Sequence, residues 1–252
     1  MILDPQFLNF LSNTHLFLQN NLHNLATLLY IDTAGEKAMV GISKDAQLLA
    51  YAENTTANTH ASFVQVAIEK MMADSDITLQ ALDAIVVTLG PGSYTGLRVG
   101  LASAKGIAYA LNKPLIGLST LALLANHASK NKIMLDGEDE MQVFSMIDAK
   151  RMEVFGAIYD VHQKNILPEQ AIILDTDYLE KLLQKGPVVC VGNGATKTKT
   201  LLNNPHLYFI ESTYSIENLI ELAMVKWNAK QFENIAYSSP SYLKDFYQAP
   251  SK

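Results

Sequence analysis

Two pairs of apolar segments, similar to each other, divide the chain into halves. Residues 28–32 and 38–43 are apolar and flank a short polar turn, which predicts a β-hairpin. Residues 143–148 and 154–159 repeat that pattern, and each first segment ends in Ile-Asp, with the two Asp residues 116 positions apart (148 − 32). The repeat favours two α/β domains that face each other, with coincidence as the competing explanation.

Strand and helix patterns alternate between and after these hairpins. Apolar runs predict further strands at residues 48–53, 85–87, 115–118 and 187–191. Apolar residues three or four positions apart predict helices at residues 60–72, 96–111, 121–128 and 176–184, and from residue 216 onward. Ser119 or Thr120 is expected to cap the third helix and Ser215 the last one.

The pattern also sets the predicted domain boundaries. Residues 1–26 precede the first strand and form an N-terminal extension whose role the sequence does not indicate. Residues 27–128 are expected to form the first domain and residues 143–246 the second, with the final helix packing back on the first. Within the second domain, residues 237–246 are expected to form an ordered arm on the surface.

A glycine turn, GPGSYTG at residues 90–96, joins a predicted buried strand to a predicted helix. Such a junction directs backbone N–H groups and the positive end of a helix dipole at one point, so it can hold an anion. The spacing matches neither GxGxxG nor a P-loop, and a tight turn that needs glycine for positive φ is the structural alternative. The nucleotide or anion candidates are Asp32, Gly90, Gly92, Ser93, Thr95 and Asp148.

The helix after this turn has unusually small side chains. Gly96, Gly100, Ala104 and Ala108 form one row at a spacing of four, while Ala102, Gly106 and Ala110 form another. Glycine weakens an isolated helix by up to about 1 kcal/mol relative to Ala, so two small rows suggest close contact on two sides. Packing within the chain on both sides explains the rows equally well.

Composition excludes several classes of protein. The net charge of −6 argues against tight nucleic-acid binding by this chain alone, so a role with RNA would need a partner. The single Cys190 lies in an apolar run and is expected to be a buried, inert thiol in a reducing compartment. The sequence shows no membrane-spanning run and no basic N-terminal signal region, since the first Lys is Lys37; we therefore expect a cytoplasmic protein.

Five motifs together resemble the TsaB (YeaZ) family, the non-catalytic partner in bacterial synthesis of threonylcarbamoyladenosine in tRNA. They are Ile31-Asp32-Thr33-Ala34, GPGSYTGLRVG at 90–100, Gly117-Leu118-Ser119-Thr120-Leu121, Ile147-Asp148-Ala149 and Pro240-Ser241-Tyr242-Leu243. The resemblance extends over residues 28–246. It implies the fold shared by actin, hexokinase and Hsp70 (the ASKHA fold), with two similar domains that each begin with a β-hairpin.

The resemblance also implies what this chain does not do. In the ASKHA superfamily, acidic residues at the hairpin corners commonly hold a metal-bound nucleotide, and Asp32 and Asp148 occupy those corners. The catalytic paralogue TsaD holds its metal with two His residues, whose positions fall near Thr120 and Leu124. Neither residue can replace an imidazole ligand, and no two His residues of the chain are three to five apart. The resemblance therefore predicts no catalytic residue and no metal site.

The resemblance also implies specific partners. These are TsaD, as a heterodimer, and the P-loop ATPase TsaE, which binds the assembled pair; tRNA would be reached only through the complex, and the resemblance also allows a homodimer. No cofactor of its own is expected, and ATP or ADP with Mg²⁺ is expected only in the assembled complex. The implied partner interface uses the first-domain helices: His60, Phe63, Val64, Ala67, Met71, Arg98, Gly100, Leu101, Ala104, Ile107 and Ala108.

Two other functions stay open. A phosphotransferase of the same superfamily would use Asp32 and Asp148 around a metal-bound nucleotide, with residues 90–96 around phosphate. A nucleotide sensor would bind the same ligand without turning it over. Nucleotide binding by the isolated chain separates both from a scaffold.

Overall fold

The computed structural model describes residues 26–56, 60–131, 140–210 and 213–244. Within them, the strands are β1 Thr27–Asp32, β2 Ala38–Lys44, β3 Gln47–Asn54, β4 Ala84–Gly90, β5 Leu115–Ser119, β6 Gln142–Asp148, β7 Glu153–Asp160, β8 Asn165–Ile173, β9 Val188–Val191 and β10 Leu207–Ile210. The α-helices are α1 His60–Asp74, α2 Tyr94–Leu111, α3 Thr120–Ser129, α4 Thr176–Leu183, α5 Ala195–Leu201 and α6 Ile216–Asn228.

The ten strands form two sheets of the same design. The first has the order β3-β2-β1-β4-β5 and the second the order β10-β9-β6-β7-β8. In each, a hairpin and a third antiparallel strand come first, and two parallel strands then add to the other side of the hairpin's first strand. The two halves are thus duplicates in topology, as the repeated Ile-Asp hairpins predicted.

Helices cover both faces of each sheet. On the face of the first sheet that points away from the second sheet, side chains such as Leu29 and Ile31 pack with α1 and α2. The opposite face, with Leu28 and Tyr30, shares a core with α3, α6 and the inner face of the second sheet. All six residues of β1 are buried because helices lie on both faces, which explains why this strand reads as a continuous apolar run rather than an alternating one.

The sequence missed three elements for identifiable reasons. β8 is an edge strand with exposed positions along most of its length, so its hydrophobic signal is weak. β10 has four residues, and α5 reads ATKTKTL without an apolar stripe. The predicted start of α2 near Gly96 is also corrected, since the helix begins at Tyr94. Of the predicted N-terminal extension, residues 1–25 lie outside the described residues.

Candidate functional site

The glycine turn packs directly against the corner of the first hairpin. A Cβ atom added to Gly92 would lie 2.3 Å from the carbonyl oxygen of Ala34, and one added to Gly96 would lie 2.0 Å from that of Thr33. Real Cβ atoms do not approach oxygen so closely, so both positions require glycine to let the two backbones meet. Gly90 is the position that needs glycine for its positive φ, which is +112°.

Hydrogen bonds fasten the turn to the same corner. The Ser93 N–H donates to the Ala34 carbonyl oxygen at 2.7 Å, and the Thr33 hydroxyl donates to the Gly96 carbonyl oxygen at 2.6 Å. The Ser93 hydroxyl accepts from the Gly96 N–H at 3.2 Å and caps α2. Two N–H groups that an anion site would use therefore donate within the chain.

Asp32 is enclosed by its own chain at this corner. Its side chain is fully buried, and Oδ1 accepts a hydrogen bond from the Ala34 N–H at 2.9 Å. Burial, followed by the charge and hydrogen bonding of Asp32, raises the pKa of Tyr214 well above its usual value, which places the phenol hydroxyl next to this carboxylate. Within this chain the first corner therefore fits a packing contact between the hairpin and the glycine turn better than it fits a metal-bound nucleotide.

Asp148, at the equivalent corner of the second hairpin, faces solvent. Its Oδ1 accepts hydrogen bonds from the Lys150 N–H at 2.7 Å and from Lys197 Nζ at 2.6 Å. The hydrogen bond from Lys197 is the largest cause that lowers the pKa of Asp148. Lys197 comes from α5, which the sequence did not predict, so the pairing carried no sequence signal.

The row of small residues formed by Gly96, Gly100, Ala104 and Ala108 faces the first sheet. Ala104 and Ala108 are fully buried, and a Cβ atom on Gly100 would lie 2.3 Å from the Thr33 hydroxyl. Internal packing therefore explains this row. Other residues of the expected partner interface are also buried in the chain, namely Val64, Ala67, Met71 and Leu101. Phe63 and Ile107 are half-buried, Arg98 is exposed, and the side chain of His60 lies outside the described residues.

The second row of small residues lies on the surface. Ala102, Gly106 and Ala110 are exposed, and a Cβ atom on Gly106 would meet nothing within 4 Å. Beside them Tyr109 is 80% exposed and Val66 of α1 is 64% exposed. We call these five residues the outer face. A partner can reach the outer face without unpacking the chain, whereas the buried residues of the expected interface contact the chain itself.

A C-terminal arm, residues 231–244, returns from the last helix to the first half. The sequence predicted an ordered surface arm at residues 237–246, of which 245–246 lie outside the described residues. The Glu233 N–H donates to the Leu115 carbonyl oxygen and the Ser241 N–H to that of Leu89, both at 2.8 Å. Arg98 Nε donates to the Tyr242 hydroxyl at 3.0 Å. The arm therefore lies against β4, β5 and the start of α2.

Glu169 links the second half to the first. Ser119, the cap of α3, donates its hydroxyl to Glu169 on β8 and accepts N–H bonds from Leu121 and Ala122 at 3.1 and 3.2 Å. Burial raises the pKa of Glu169, while the hydrogen bond from Ser119 and the charge of Lys226 lower it less. A partly desolvated carboxylate thus sits between the two halves.

Three further properties concern the described residues. Cys190 is buried, as predicted, and burial raises the pKa of its thiol to about 12. No group of three or more His, Cys, Asp or Glu residues that could hold a metal ion occurs in the described ranges. Among the same residues, no helix is both long and apolar enough to cross a membrane.

Comparison with known proteins decides the family. A family model described as TsaD, tRNA N6-adenosine threonylcarbamoyltransferase, matches residues 53–248. The chain is 29% identical over 225 residues to the tRNA threonylcarbamoyladenosine biosynthesis protein TsaB of Escherichia coli, covering 86% of this chain and 94% of the relative. It is also 29% identical over 182 residues to TsaB of Bacillus subtilis, covering 71% and 76%. The chain belongs to the TsaB (YeaZ) family.

The fold of a solved family member agrees. YeaZ from Pseudomonas aeruginosa superposes with a TM-score of 0.71 at 24% identity, covering 87% of this chain and all of that one. The TsaB resemblance expected from the five motifs is thus confirmed, and so is the ASKHA fold with its two hairpin-led halves. Names and fold assign no role to individual residues, so the predicted interface and nucleotide contacts stay predictions.

Proposed function

We propose that this chain is a non-catalytic subunit of a tRNA-modifying complex. It pairs with TsaD, and the pair binds TsaE, so that a threonylcarbamoyl group is transferred to the tRNA adenosine next to the anticodon. The proposal is supported by the names of the TsaB relatives, which refer to threonylcarbamoyladenosine biosynthesis. In this proposal the chain contributes a surface, and TsaD contributes the chemistry.

The observation that carries the proposal is the outer face of α1 and α2. Small side chains at Ala102, Gly106 and Ala110 allow a partner helix to approach closely, while Val66 and Tyr109 offer apolar area at the rim. Gln65 Nε2 donates to Ser103 Oγ at 3.0 Å and holds the two helices together. A preordered, exposed helix pair of this kind is suited to a helix-to-helix interface with TsaD, or with a second copy of the chain in isolation.

The first hairpin corner supports the non-catalytic part of the proposal. Asp32 is buried beside Tyr214, and the glycine turn is filled by the backbone of residues 33–34. A nucleotide phosphate would have to displace those contacts. We therefore propose that ATP or ADP with Mg²⁺ is bound only where the assembled complex supplies further residues.

The direct test places a large charge on the outer face. Ala102→Arg should abolish co-elution with purified TsaD, because the guanidinium would have to be buried in a close helix contact. Val225→Arg is the matched control, since Val225 is 61% exposed on α6, away from this face. Circular dichroism checks that both variants fold. Unchanged co-elution of a folded Ala102→Arg variant would contradict the interface.

A second measurement tests the alternatives. Calorimetric titration of the isolated chain with Mg²⁺ and ATP should show no binding, and mass measurements of chain, TsaD and TsaE with ATP should show the assembled complex. Turnover of ATP by the chain alone, abolished by Asp148→Asn, would instead identify a phosphotransferase. Binding without turnover would identify a nucleotide sensor.

A further inference from the structure

Cationic side chains collect along the C-terminal arm, although the whole chain carries a net charge of −6. Lys105 Nζ donates to the carbonyl oxygens of Ala236 and Ser238 at 3.3 and 3.1 Å, and Arg98 binds the Tyr242 hydroxyl. Farther along the arm, Lys244 reaches the second half. The arm therefore lies beside two cations of the first half and carries a third, Lys244, to Glu153 of the second half.

This strip of surface ends at an open cleft of about 560 Å³ beside the second hairpin. Lys150, Arg151 and Lys244 line it together with the exposed Met152 and Ile173. Two acidic groups near the cleft are already paired, Glu153 with Lys244 and Asp148 with Lys197. Lys150 and Arg151 form no ion pair within the described part of the chain, so the cleft keeps an excess of two positive charges.

The turn that presents these two cations has an unfavourable backbone. Lys150 and Arg151 have φ values of +69° and +46°, at the two central positions of the hairpin loop. A non-glycine residue with such a φ costs roughly 1 kcal/mol or more. The turn holds both side chains at the rim of the cleft.

Two tyrosines lie beside the cations at the other end of the strip. Tyr94 and Tyr242 are 42% and 41% exposed, and their ring centroids are 5.6 Å apart. The guanidinium carbon of Arg98 lies 3.9 Å from the Tyr94 ring centroid, so the cation is fixed against an aromatic face. Exposed aromatic rings next to cations are the combination that binds the bases and phosphates of single-stranded nucleic acid.

We propose that this strip, formed by Tyr94, Arg98, Tyr242, Lys244, Lys150 and Arg151, binds a single-stranded segment of RNA. The proposal rests on the proposed function, which brings a tRNA with an unpaired loop to the complex. An acidic protein surface would match the cations but would leave the paired tyrosine rings without a stacking role, so the observations favour RNA. We call this strip the RNA strip.

The first test uses the chain alone with fluorescein-labelled dodecauridine, followed by anisotropy from 20 to 200 mM salt. The wild type should bind weakly, with affinity that falls as salt rises. Lys150→Ala with Arg151→Ala should reduce the slope of log affinity against log salt by about 1.4, since each contact to a single strand contributes about 0.7. The control, Lys164→Ala with Lys185→Ala, removes the same charge.

Both control residues lie at the end of the second sheet opposite the β6–β7 turn. Lys164 belongs to the β7–β8 connection, and Lys185 precedes β9, whose first residue pairs with the first residue of β6. The β6–β7 hairpin turn and the β7–β8 connection lie at opposite ends of the eight-residue strand β7, roughly 25 Å apart. An equal slope change in both double variants would show a general charge effect and overturn the proposal. So would the absence of any binding by the wild type at 20 mM salt.

The stacking part of the RNA strip has its own test. Tyr94→Leu should weaken binding of the same oligonucleotide about fivefold or more, whereas Tyr109→Leu, on the outer face, should leave it unchanged. Ultraviolet crosslinking with mass spectrometry should place uridine on Tyr94 or Tyr242; crosslinks confined to other residues would overturn the assignment.

Failure of this inference can be distinguished from failure of the proposed function. Co-elution with TsaD is tested with variants of the outer face, and none of its five residues belongs to the RNA strip. If the double variant at residues 150 and 151 lost TsaE binding to the TsaD pair but kept the wild-type salt slope, the strip would be a protein surface, and the RNA proposal would be wrong.

Discussion

The two hairpin corners occupy equivalent places in duplicated halves, yet they have opposite environments. At the first, Asp32 is buried beside Tyr214, and the glycine turn is bonded to the corner backbone. At the second, Asp148 faces solvent and pairs with Lys197. The shared topology places each carboxylate at the end of a strand. At the first corner the glycine turn and Tyr214 pack around the carboxylate, whereas at the second the carboxylate stays exposed beside Lys197.

We expect the largest loss of stability from filling the close contact between Gly96 and Thr33 at the first corner. Gly96→Ala places a Cβ atom about where the Thr33 carbonyl oxygen already lies, so we expect a loss of about 3 kcal/mol or more in the free energy of unfolding. Gly106→Ala is the control on the same helix, with open space around it, and should stabilise by up to about 1 kcal/mol. Urea denaturation measures both; similar stability of the two variants would contradict the packed corner.

Asp32→Ala tests whether the buried carboxylate stabilises the packed first corner. The change leaves the Ala34 N–H without its acceptor inside the core, so we expect a loss of about 2 kcal/mol. Denaturant midpoints at neutral pH give the value. A cost below about 0.5 kcal/mol would mean that water reaches the corner.

Glu169→Gln tests the contact that joins the two halves. Burial raises the pKa of Glu169, so ionisation of this side chain opposes folding. The stability that the protonated side chain contributes is fully present below the unfolded pKa and is lost as pH rises through the folded pKa. The variant should therefore be more stable than wild type at pH 7, by less than about 1 kcal/mol or roughly 2–4 °C in Tm. The difference should vanish near pH 4, as followed by thermal melts; a lower Tm at pH 7 would contradict this sign.

Asp148→Asn should have the smallest effect. The carboxylate side chain is 39% exposed, so its ion pair is screened by water and contributes less than about 1 kcal/mol. Its pKa is lowered, so the contribution is present above the unfolded pKa and is lost as pH falls through the folded pKa. Wild type should therefore lose its small advantage in Tm over the variant in acid. An advantage that grew in acid would be the opposite of this expectation.

The sequence predicted most of the fold because its signals were local. Apolar runs marked both hairpins, and the Ile-Asp repeat indicated the duplication that the two sheets display. Ser215 was correctly expected to cap the last helix, where it forms a capping box with Asn218. The weakly patterned β8, β10 and α5 were missed because exposed or very short elements carry little hydrophobic periodicity.

The candidate site was less predictable because its contacts join distant residues. Helical spacing identified two rows of small residues on α2, but it did not reveal that Ala104 packs inward while Ala102 stays exposed. Arg98 meets Tyr242 across 144 positions, and Lys197 meets Asp148 across 49. Neither pair has a spacing that marks it in the sequence.

By itself the sequence determined the family motifs, the hairpin-led halves and the glycine positions, since each follows from residues that are neighbours along the chain. Tertiary structure decided which corner is buried, which row of α2 is open and where the arm gathers its cations. Those outcomes depend on how helices and strands pack, because a side chain's exposure and charge environment are set by segments far away in sequence.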